Sequence, residues 1–274
     1  MSIKPLFMWA GGKGKMIKHY APHLPQCVEE YYEPCIGGGA MFCYVMNNYN
    51  VKKATINDYN ESIINIFRAI KNAPFKFCKV MDKLSDEYLM LDWQGRRDYY
   101  YFVRTQHAWN YKSMTKVEEA ATLYFLMKTS FNGIWQTNRN TNGRFGASPG
   151  KLDQKEKVYD KDNVMEWHRV LQNTTIMCGD WERVMPKEDK SNTWVFLDPP
   201  YRDCRVEYEA PMTDDDHKRM MDKLFSYTKT EVWACNQETG DNFWSDYNPL
   251  TFQYKYTCGR GKGNDAIEVL IKNK

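Results

Sequence analysis

Short apolar runs that end in Gly, Asp or Pro alternate with amphipathic stretches along most of this chain. Tyr31-Tyr32-Glu33-Pro34 reads as a strand running into Gly37-Gly38-Gly39, after which Ala40-Met41-Phe42 and Tyr44-Val45-Met46 continue as a helix. Ala54-Thr55-Ile56 is a second strand and ends in Asn57-Asp58. Asn60 is placed to cap the next helix, whose apolar positions Ile63, Ile66, Phe67 and Ile70 keep helical spacing until Pro74 stops it. Two strands joined by a crossover helix make a right-handed βαβ unit and begin a parallel sheet.

Between Pro74 and Gly150 the alternation lapses. Val117, Ala120, Ala121 and Tyr124 predict one face of a helix, and the chain then becomes turn-rich, with Asn142-Gly143 as a hairpin signal. The sheet pattern resumes with Thr175-Ile176-Met177-Cys178 before Gly179-Asp180, and with Trp194 to Leu197. Glu231 to Cys235 and Ala266 to Ile271 are further strands, and Thr213 caps a helix that opens on three aspartates. The expected fold is an α/β domain built from 1–73 and 151–274, with 74–150 inserted as a mainly helical region carrying a β-hairpin.

Charge sharpens the insert. The whole chain carries +3, but Trp93 to Lys157 holds eleven basic residues against five acidic ones, +6 in all, leaving −3 elsewhere. Trp109, Tyr111, Phe131, Trp135 and Phe145 are interleaved with that charge, a composition that suits phosphates and bases as well as an ordinary solvated face. The eight cysteines are scattered without a C-x-x-C pair and the five histidines are dispersed. Reduced thiols in a cytoplasmic protein are expected, with neither a disulfide framework nor a metal centre. No apolar run is long enough to span a bilayer, no signal-peptide pattern is present, and no membrane partner is expected.

Three constellations carry chemistry. Asp198-Pro199-Pro200-Tyr201 closes the apolar strand Thr193 to Leu197 with a carboxylate, two rigid residues and an aromatic ring. The prolines stiffen the turn and remove two backbone donors, so that a charged acceptor, a carbonyl and a stacking surface come together; a planar group bearing NH2 suits them. The plainer alternative is a proline-rich loop. Glu33-Pro34-Cys35-Ile36-Gly37-Gly38-Gly39 lies at the carboxyl end of the first strand, where open α/β sheets bind ligands. Asp58 follows at the spacing of a ribose-binding carboxylate. Phe7 to Lys15 fails the phosphate-loop pattern, because Trp9 stands where the first glycine belongs and Met16 replaces the Ser or Thr.

Trp9-Ala10-Gly11-Gly12-Lys13, Glu33-Pro34 through Gly39, Asn57-Asp58 and Asp198 to Tyr201 stand in the order and spacing of the Dam-type adenine-specific DNA methyltransferases. Phe131-Asn132-Gly133 and Gly143-Arg144-Phe145-Gly146 resemble that family's DNA-recognition region. The resemblance covers most of the chain. It implies S-adenosylmethionine as methyl donor, a Rossmann-like catalytic domain, double-stranded DNA as partner and a target-recognition insert; no obligate protein partner is evident, and a monomer or weak dimer is expected.

By the same resemblance Trp9, Lys13, Glu33, Gly37, Gly39, Asp58, Asp180 and Asp198 are cofactor contacts. Asp198, Pro199, Pro200 and Tyr201 are the catalytic turn, and Phe131, Asn132, Gly133, Gln136, Arg139 and Arg144 contact DNA. Two positions depart from the family: Cys35 stands where Phe is usual, and Gln136 where many relatives that read GATC carry a basic side chain. Arginine reads guanine whereas glutamine prefers adenine, so the recognition sequence is open. N4 of cytosine, adenine in RNA and a non-catalytic DNA-binding relative are the alternatives. A dinucleotide-dependent oxidoreductase would share the glycine turn and Asp58 but leaves Asp198 to Tyr201 unexplained.

Overall fold

A computed structural model of the protein describes residues 2–9, 11–133, 135–151, 156–202, 212–256 and 264–274. The strands are β1 (Glu30–Glu33), β2 (Lys53–Ile56), β3 (Thr174–Ile176), β4 (Thr193–Leu197), β5 (Glu231–Gln237), β6 (Leu250–Tyr256) and β7 (Asn264–Lys272). The helices are α1 (Ile17–Tyr20), α2 (Ala40–Asn48), α3 (Glu61–Asn72), α4 (Pro74–Leu89), α5 (Trp93–Trp109), α6 (Lys116–Thr129), α7 (Lys161–Leu171) and α8 (Asp214–Phe225). By internal contacts the chain divides into two compact units: Met1–Gly12 with Gly37–Cys43 and Glu61–Gln172, and Lys13–Ile36 with Tyr44–Asn60 and Asn173–Lys274.

The second unit holds the sheet. Among the described residues its order is β3-β2-β1-β4-β5-β7-β6. β3, β2, β1, β4 and β5 run parallel, and β7 is antiparallel to both β5 and β6. The chain therefore starts in the middle at β1, winds outward to β3, and returns to the other side of β1 as β4. That reversal is the switch point at which an open α/β sheet leaves a crevice beyond its carboxyl ends.

All five residues of β4 are buried, as expected for a central parallel strand of β-branched and aromatic residues. Alternation splits them between two faces. Val195 and Leu197 join Val232, Ala234, Val269 and Ile271 beneath Met220, Met221 and Leu224 of α8. Trp194 and Phe196 face the other way, where Trp194 meets Trp233 at 5.0 Å and Tyr31 at 5.5 Å, and Tyr20 of α1 meets Trp233 at 6.3 Å. α8 begins at a reciprocal cap: Asp216 N–H donates to Thr213 Oγ1 and Thr213 N–H donates to Asp216 Oδ2. β6 was not expected from sequence.

The first unit is helical. α3, α4 and α5 pack around α6, and α7 packs on α3 and α4. Sequence predicts one apolar face for α6, but Leu123, Phe125, Leu126 and Met127 are buried as well as Ala120, Ala121 and Tyr124. A helix apolar all round is a central one. The segment 74–150 lies wholly within this unit.

The hairpin expected at Asn142-Gly143 is a turn without strands among the described residues. Asn142 and Gly143 take the left-handed φ values of 54° and 70°, yet only the isolated bridges Thr137↔Phe145 and Ser130↔Pro149 form. Side chains have taken the place of the ladder: Thr141 Oγ1 donates to the carbonyl of Arg144 at 2.7 Å and Asn138 Nδ2 to that of Gly146 at 3.2 Å. A Cβ on Gly146 would stand 2.3 Å from Asn138 Nδ2, so any side chain here would displace that amide.

Candidate active site

The parallel order brings the ends of β3, β2, β1 and β4 side by side along one sheet edge. Asn57, just past β2, ties three of them together. Its Nδ2 donates to the carbonyl of Pro34 at 2.8 Å and to that of Gly179 at 2.9 Å, and its own carbonyl accepts Ile36 N–H at 2.8 Å. From sequence Asn57 stands out only as a neighbour of Asp58; its burial between two strand-end loops is visible only in the structure.

Four acidic residues singled out from sequence converge on this edge. The Cys35 thiol is pushed well above its usual pKa, first by burial and then by the charges of Asp58, Asp198, Glu33 and Asp180. Glu33 is buried and accepts the Tyr31 hydroxyl at 2.8 Å. Asp58 Oδ1 accepts Asn60 N–H at 3.0 Å just before α3. Asp180 caps a short turn by accepting Glu182 N–H at 2.9 Å, and Arg219 lies 3.7 Å from its other oxygen. Cys35 packs against the core beneath α8.

Beyond β4, Asp198 meets Lys13. Their Nζ–Oδ1 distance is 2.7 Å, with 3% of the Lys13 side chain and 21% of that of Asp198 exposed. Lys13 Nζ also stands 4.7 Å from the centre of the Tyr201 ring and 3.8 Å from Glu268 Oε1. Burial pushes the Asp198 carboxyl up to about 6, with Lys13 opposing and Glu268 adding to the rise. Glu268 is fully buried on β7 and escaped the sequence reading; an acidic residue amid Ala266, Ile267, Val269, Leu270 and Ile271 was the available signal.

The far end of the turn is clamped. Asn236 Oδ1 accepts Arg202 N–H at 3.2 Å, and the Arg202 guanidinium pairs with Asp214 at 2.7 Å and Asp241 at 2.8 Å while lying 3.8 Å over the Phe243 ring. Pro199 is buried, and Pro200 and Tyr201 are partly exposed. Together the turn offers one carboxylate, one phenol and one ammonium in a close cluster.

The helical unit holds the other predicted residues. Gly37 and Gly39 take φ values of 48° and 72°. A Cβ on Gly37 would stand 2.6 Å from Trp9 Cδ1, so the indole lies directly against this turn. Trp9 continues to Trp135 at 6.0 Å and Trp135 to Phe145 at 5.6 Å; Ala10, between Trp9 and Gly11, lies outside the described residues. Gly133, at φ 58°, lets Met8 approach to 2.8 Å of where its Cβ would be.

Phe131, Asn132, Gln136 and Arg139 are exposed, with Phe131 46% accessible and Asn132 at a φ of 53°. Arg144 differs. It pairs with buried Glu119 of α6 and lies 3.8 Å over the Tyr111 ring, leaving 18% of its side chain exposed. Arg104 likewise donates to the carbonyls of Gly146 and Ala147 at 2.9 and 3.1 Å. Part of the positive charge counted in this segment therefore serves its own loops. Lys151 and Lys157 are exposed, and Lys155 lies outside the described residues.

The pattern that defines the D12 class N6 adenine-specific DNA methyltransferases matches residues 9–258. The chain belongs to this family. Type II methyltransferase M.MjaIII of Methanocaldococcus jannaschii is 33% identical over 207 residues, 74% of this chain and 70% of the relative. Type II methyltransferase M.CviBI of Paramecium bursaria Chlorella virus NC1A is 27% identical over 281 residues, 99% and 100% of the two chains. A DNA adenine methylase of Haemophilus influenzae is 25% identical over 74% of this chain and 66% of its own length.

As a D12 class enzyme, the chain methylates adenine N6 in DNA and draws on a methyl donor. The α/β sheet agrees with a Rossmann-like methyltransferase. Among the described residues no His, Cys, Asp and Glu cluster into a metal site, and no helix is long and apolar enough to cross a membrane.

Proposed function

We propose that this enzyme uses S-adenosylmethionine to methylate N6 of an adenine flipped out of a specific site in double-stranded DNA, and that Asp198 and Pro199 are the acceptors for its amino group. The contact between Lys13 Nζ and Asp198 Oδ1, at 2.7 Å, carries the reading. A nitrogen donor occupies the carboxylate, buried beside an aromatic ring, as an adenine amino group would.

The carboxylates around Cys35 fit this donor. Asp58, Asp198, Glu33 and Asp180 make the sheet edge strongly acidic, which suits a ligand bearing a sulfonium and an ammonium. When bound, S-adenosylmethionine supplies an electrophilic methyl group. In this reading Asp58 takes the ribose hydroxyls and Asp180 the cofactor's adenine. Glu33, already engaged by Tyr31, contributes charge; Trp9, Gly37 and Gly39 remain cofactor candidates by family resemblance.

Adenine N6 is a weak nucleophile because its lone pair is delocalised into the ring. With one N–H held by Asp198 and the other by the Pro199 carbonyl, the nitrogen is drawn towards tetrahedral geometry and its lone pair is freed. The carboxylate then stabilises the positive charge that develops on nitrogen, Tyr201 stacks on the base, and the methylated nitrogen returns to neutrality by releasing one of its two protons to solvent. Pro200 stiffens the turn. A base inside the duplex has no access to such a cluster, so the adenine is extruded.

The segment 74–150 is the target-recognition region of this reading, and 1–73 with 151–274 the catalytic one. Phe131 fills the gap in the base stack, Asn132 and Gly133 hold the backbone, and Gln136 and Arg139 face the DNA. Arg144 contributes by anchoring its loop to Glu119. The scattered thiols, six of them free among the described residues and Cys204 and Cys258 outside these, suit a cytoplasmic setting. Methyl transfer from tritium-labelled donor to duplex DNA by wild type and Asp198→Ala, with donor binding measured alongside, is the test. Normal turnover by the variant would sink the reading.

A further inference from the structure

Glu268 is a completely buried carboxylate in a strand whose next three residues, Val269, Leu270 and Ile271, are core. A charge in such a place persists only when it is paired and hydrogen-bonded. Its Oε1 accepts the Tyr201 hydroxyl at 2.5 Å and the Tyr20 hydroxyl at 3.0 Å. Burial pushes both phenols well above their usual pKa, so both remain donors. The third group is Lys13, 3.8 Å away.

Lys13 therefore stands between two carboxylates, on Asp198 and near Glu268. An incoming amino group competes with it for Asp198. At 3% exposure the displaced ammonium has no direct route to water. Glu268 offers an alternative close by: a shift of about 1 Å brings Nζ to charge-assisted hydrogen-bond distance of Oε1. That shift keeps the cation beside a carboxylate throughout, which favours it over withdrawal from both.

Resting on the reading that Asp198 binds the substrate amino group, we propose that Glu268 is a positioning residue with two tasks. It fixes the Tyr201 ring through its phenol, and it receives Lys13 when the substrate displaces Lys13 from Asp198. The handover leaves Asp198 free of its lysine and hydrogen-bonded to the nitrogen just when positive charge develops there.

The test is a double-mutant cycle between Lys13→Met and Glu268→Gln, with kcat and KM for duplex DNA measured at saturating S-adenosylmethionine and folding followed by thermal melting. Glu268→Gln alone should lower kcat/KM about tenfold or more, whereas in the Lys13→Met background the same change should cost less than about twofold. Equal losses in both backgrounds overturn the handover. Tyr201→Phe keeps the ring and loses the phenol, so it should be milder than Glu268→Gln; an equal loss would mean that Glu268 acts through the phenol alone.

Removing the Glu268 charge should also move the acidic limb of kcat/KM to lower pH, since that charge raises the Asp198 pKa. A limb that stays near 6 overturns the electrostatic part. If Glu268→Gln fails to fold, Glu268→Asp, which retracts the charge without removing it, carries the same cycle and the same criterion. Asp198→Ala separates the two levels. An active Asp198→Ala defeats the active-site reading itself, whereas an inactive one beside an additive cycle defeats only the role of Glu268.

Discussion

Lys13 Nζ lies 2.7 Å from Asp198 Oδ1, and this contact both sustains the carboxylate and occupies the place that the proposed function gives to the substrate amino group. Burial alone would push the Asp198 pKa higher than its value of about 6; the neighbouring ammonium restrains it. At neutral pH Asp198 is therefore an anion. In the proposed complex the amino group brings no full charge to replace that cation, so its hold depends on geometry and on the charge it gains during transfer.

Asp198→Ala removes both the acceptor and the charge aimed at the developing cation. Transfer of labelled methyl groups to duplex DNA should fall by at least about a thousandfold, the upper range for loss of one preorganised electrostatic group. Donor binding, measured by calorimetry, should remain detectable through Asp58 and Asp180. Loss of both together would recast Asp198 as a cofactor anchor.

The pH dependence follows from the same carboxyl. Because kcat/KM reports the free enzyme, it should fall as pH drops through about 6, when Asp198 takes a proton. Lys13→Met removes a cation that lowers this pKa, so the limb should move to higher pH; a move downward would contradict the assignment. Stability has the opposite sign. A carboxyl raised above its usual 3.8 holds its proton more tightly in the folded protein, so its contribution is complete below about 4 and lost as pH rises through 6. Melting of wild type and Asp198→Asn between pH 4 and 7 should show the difference moving in favour of the variant as pH rises.

Features of the site confined to a few consecutive residues were legible in the sequence. β4 and Asp198 to Tyr201 are a local statement, an apolar run ending in a charge and two prolines, and the ends of β1 and β2 carry similar signals. Glu268 was not legible as part of the site, because its partners Lys13 and Tyr20 lie at the opposite end of the chain and only the sheet brings them together. The burial of α6 on every side depends on α3, α4 and α5, which its own periodicity does not contain. The positive charge of Arg144 was visible, but Glu119 and Tyr111, which engage it, became apparent only in the structure.

Arg139 and Arg144 should therefore behave differently when truncated. Arg139 is exposed, and Arg139→Ala should weaken DNA binding and lower the slope of log K against log salt by about 1, as expected for one lost phosphate contact. Arg144→Ala leaves Glu119 buried without its guanidinium and should destabilise the helical unit by about 2 kcal/mol. Thermal melting and salt titration of the two variants make the comparison. An unchanged melting temperature for Arg144→Ala together with a lowered salt slope would return Arg144 to the DNA interface.

Gln136 is where site preference should be adjustable. Its side chain is exposed, while its backbone carbonyl accepts Gly146 N–H at 2.7 Å and so stays fixed whatever side chain is present. Glutamine pairs through two hydrogen bonds with the N6 and N7 edge of adenine, whereas arginine pairs with O6 and N7 of guanine, each worth about 1–3 kcal/mol of discrimination. Gln136→Arg should therefore shift one position of the methylated sequence towards guanine, by about ten- to a hundredfold, with little change in melting temperature. DNA from cells expressing wild type or variant, sequenced with detection of N6-methyladenine, reads that shift directly. If the two methylated motifs are identical, Gln136 does not face a base, and the choice of site belongs to another part of the helical unit.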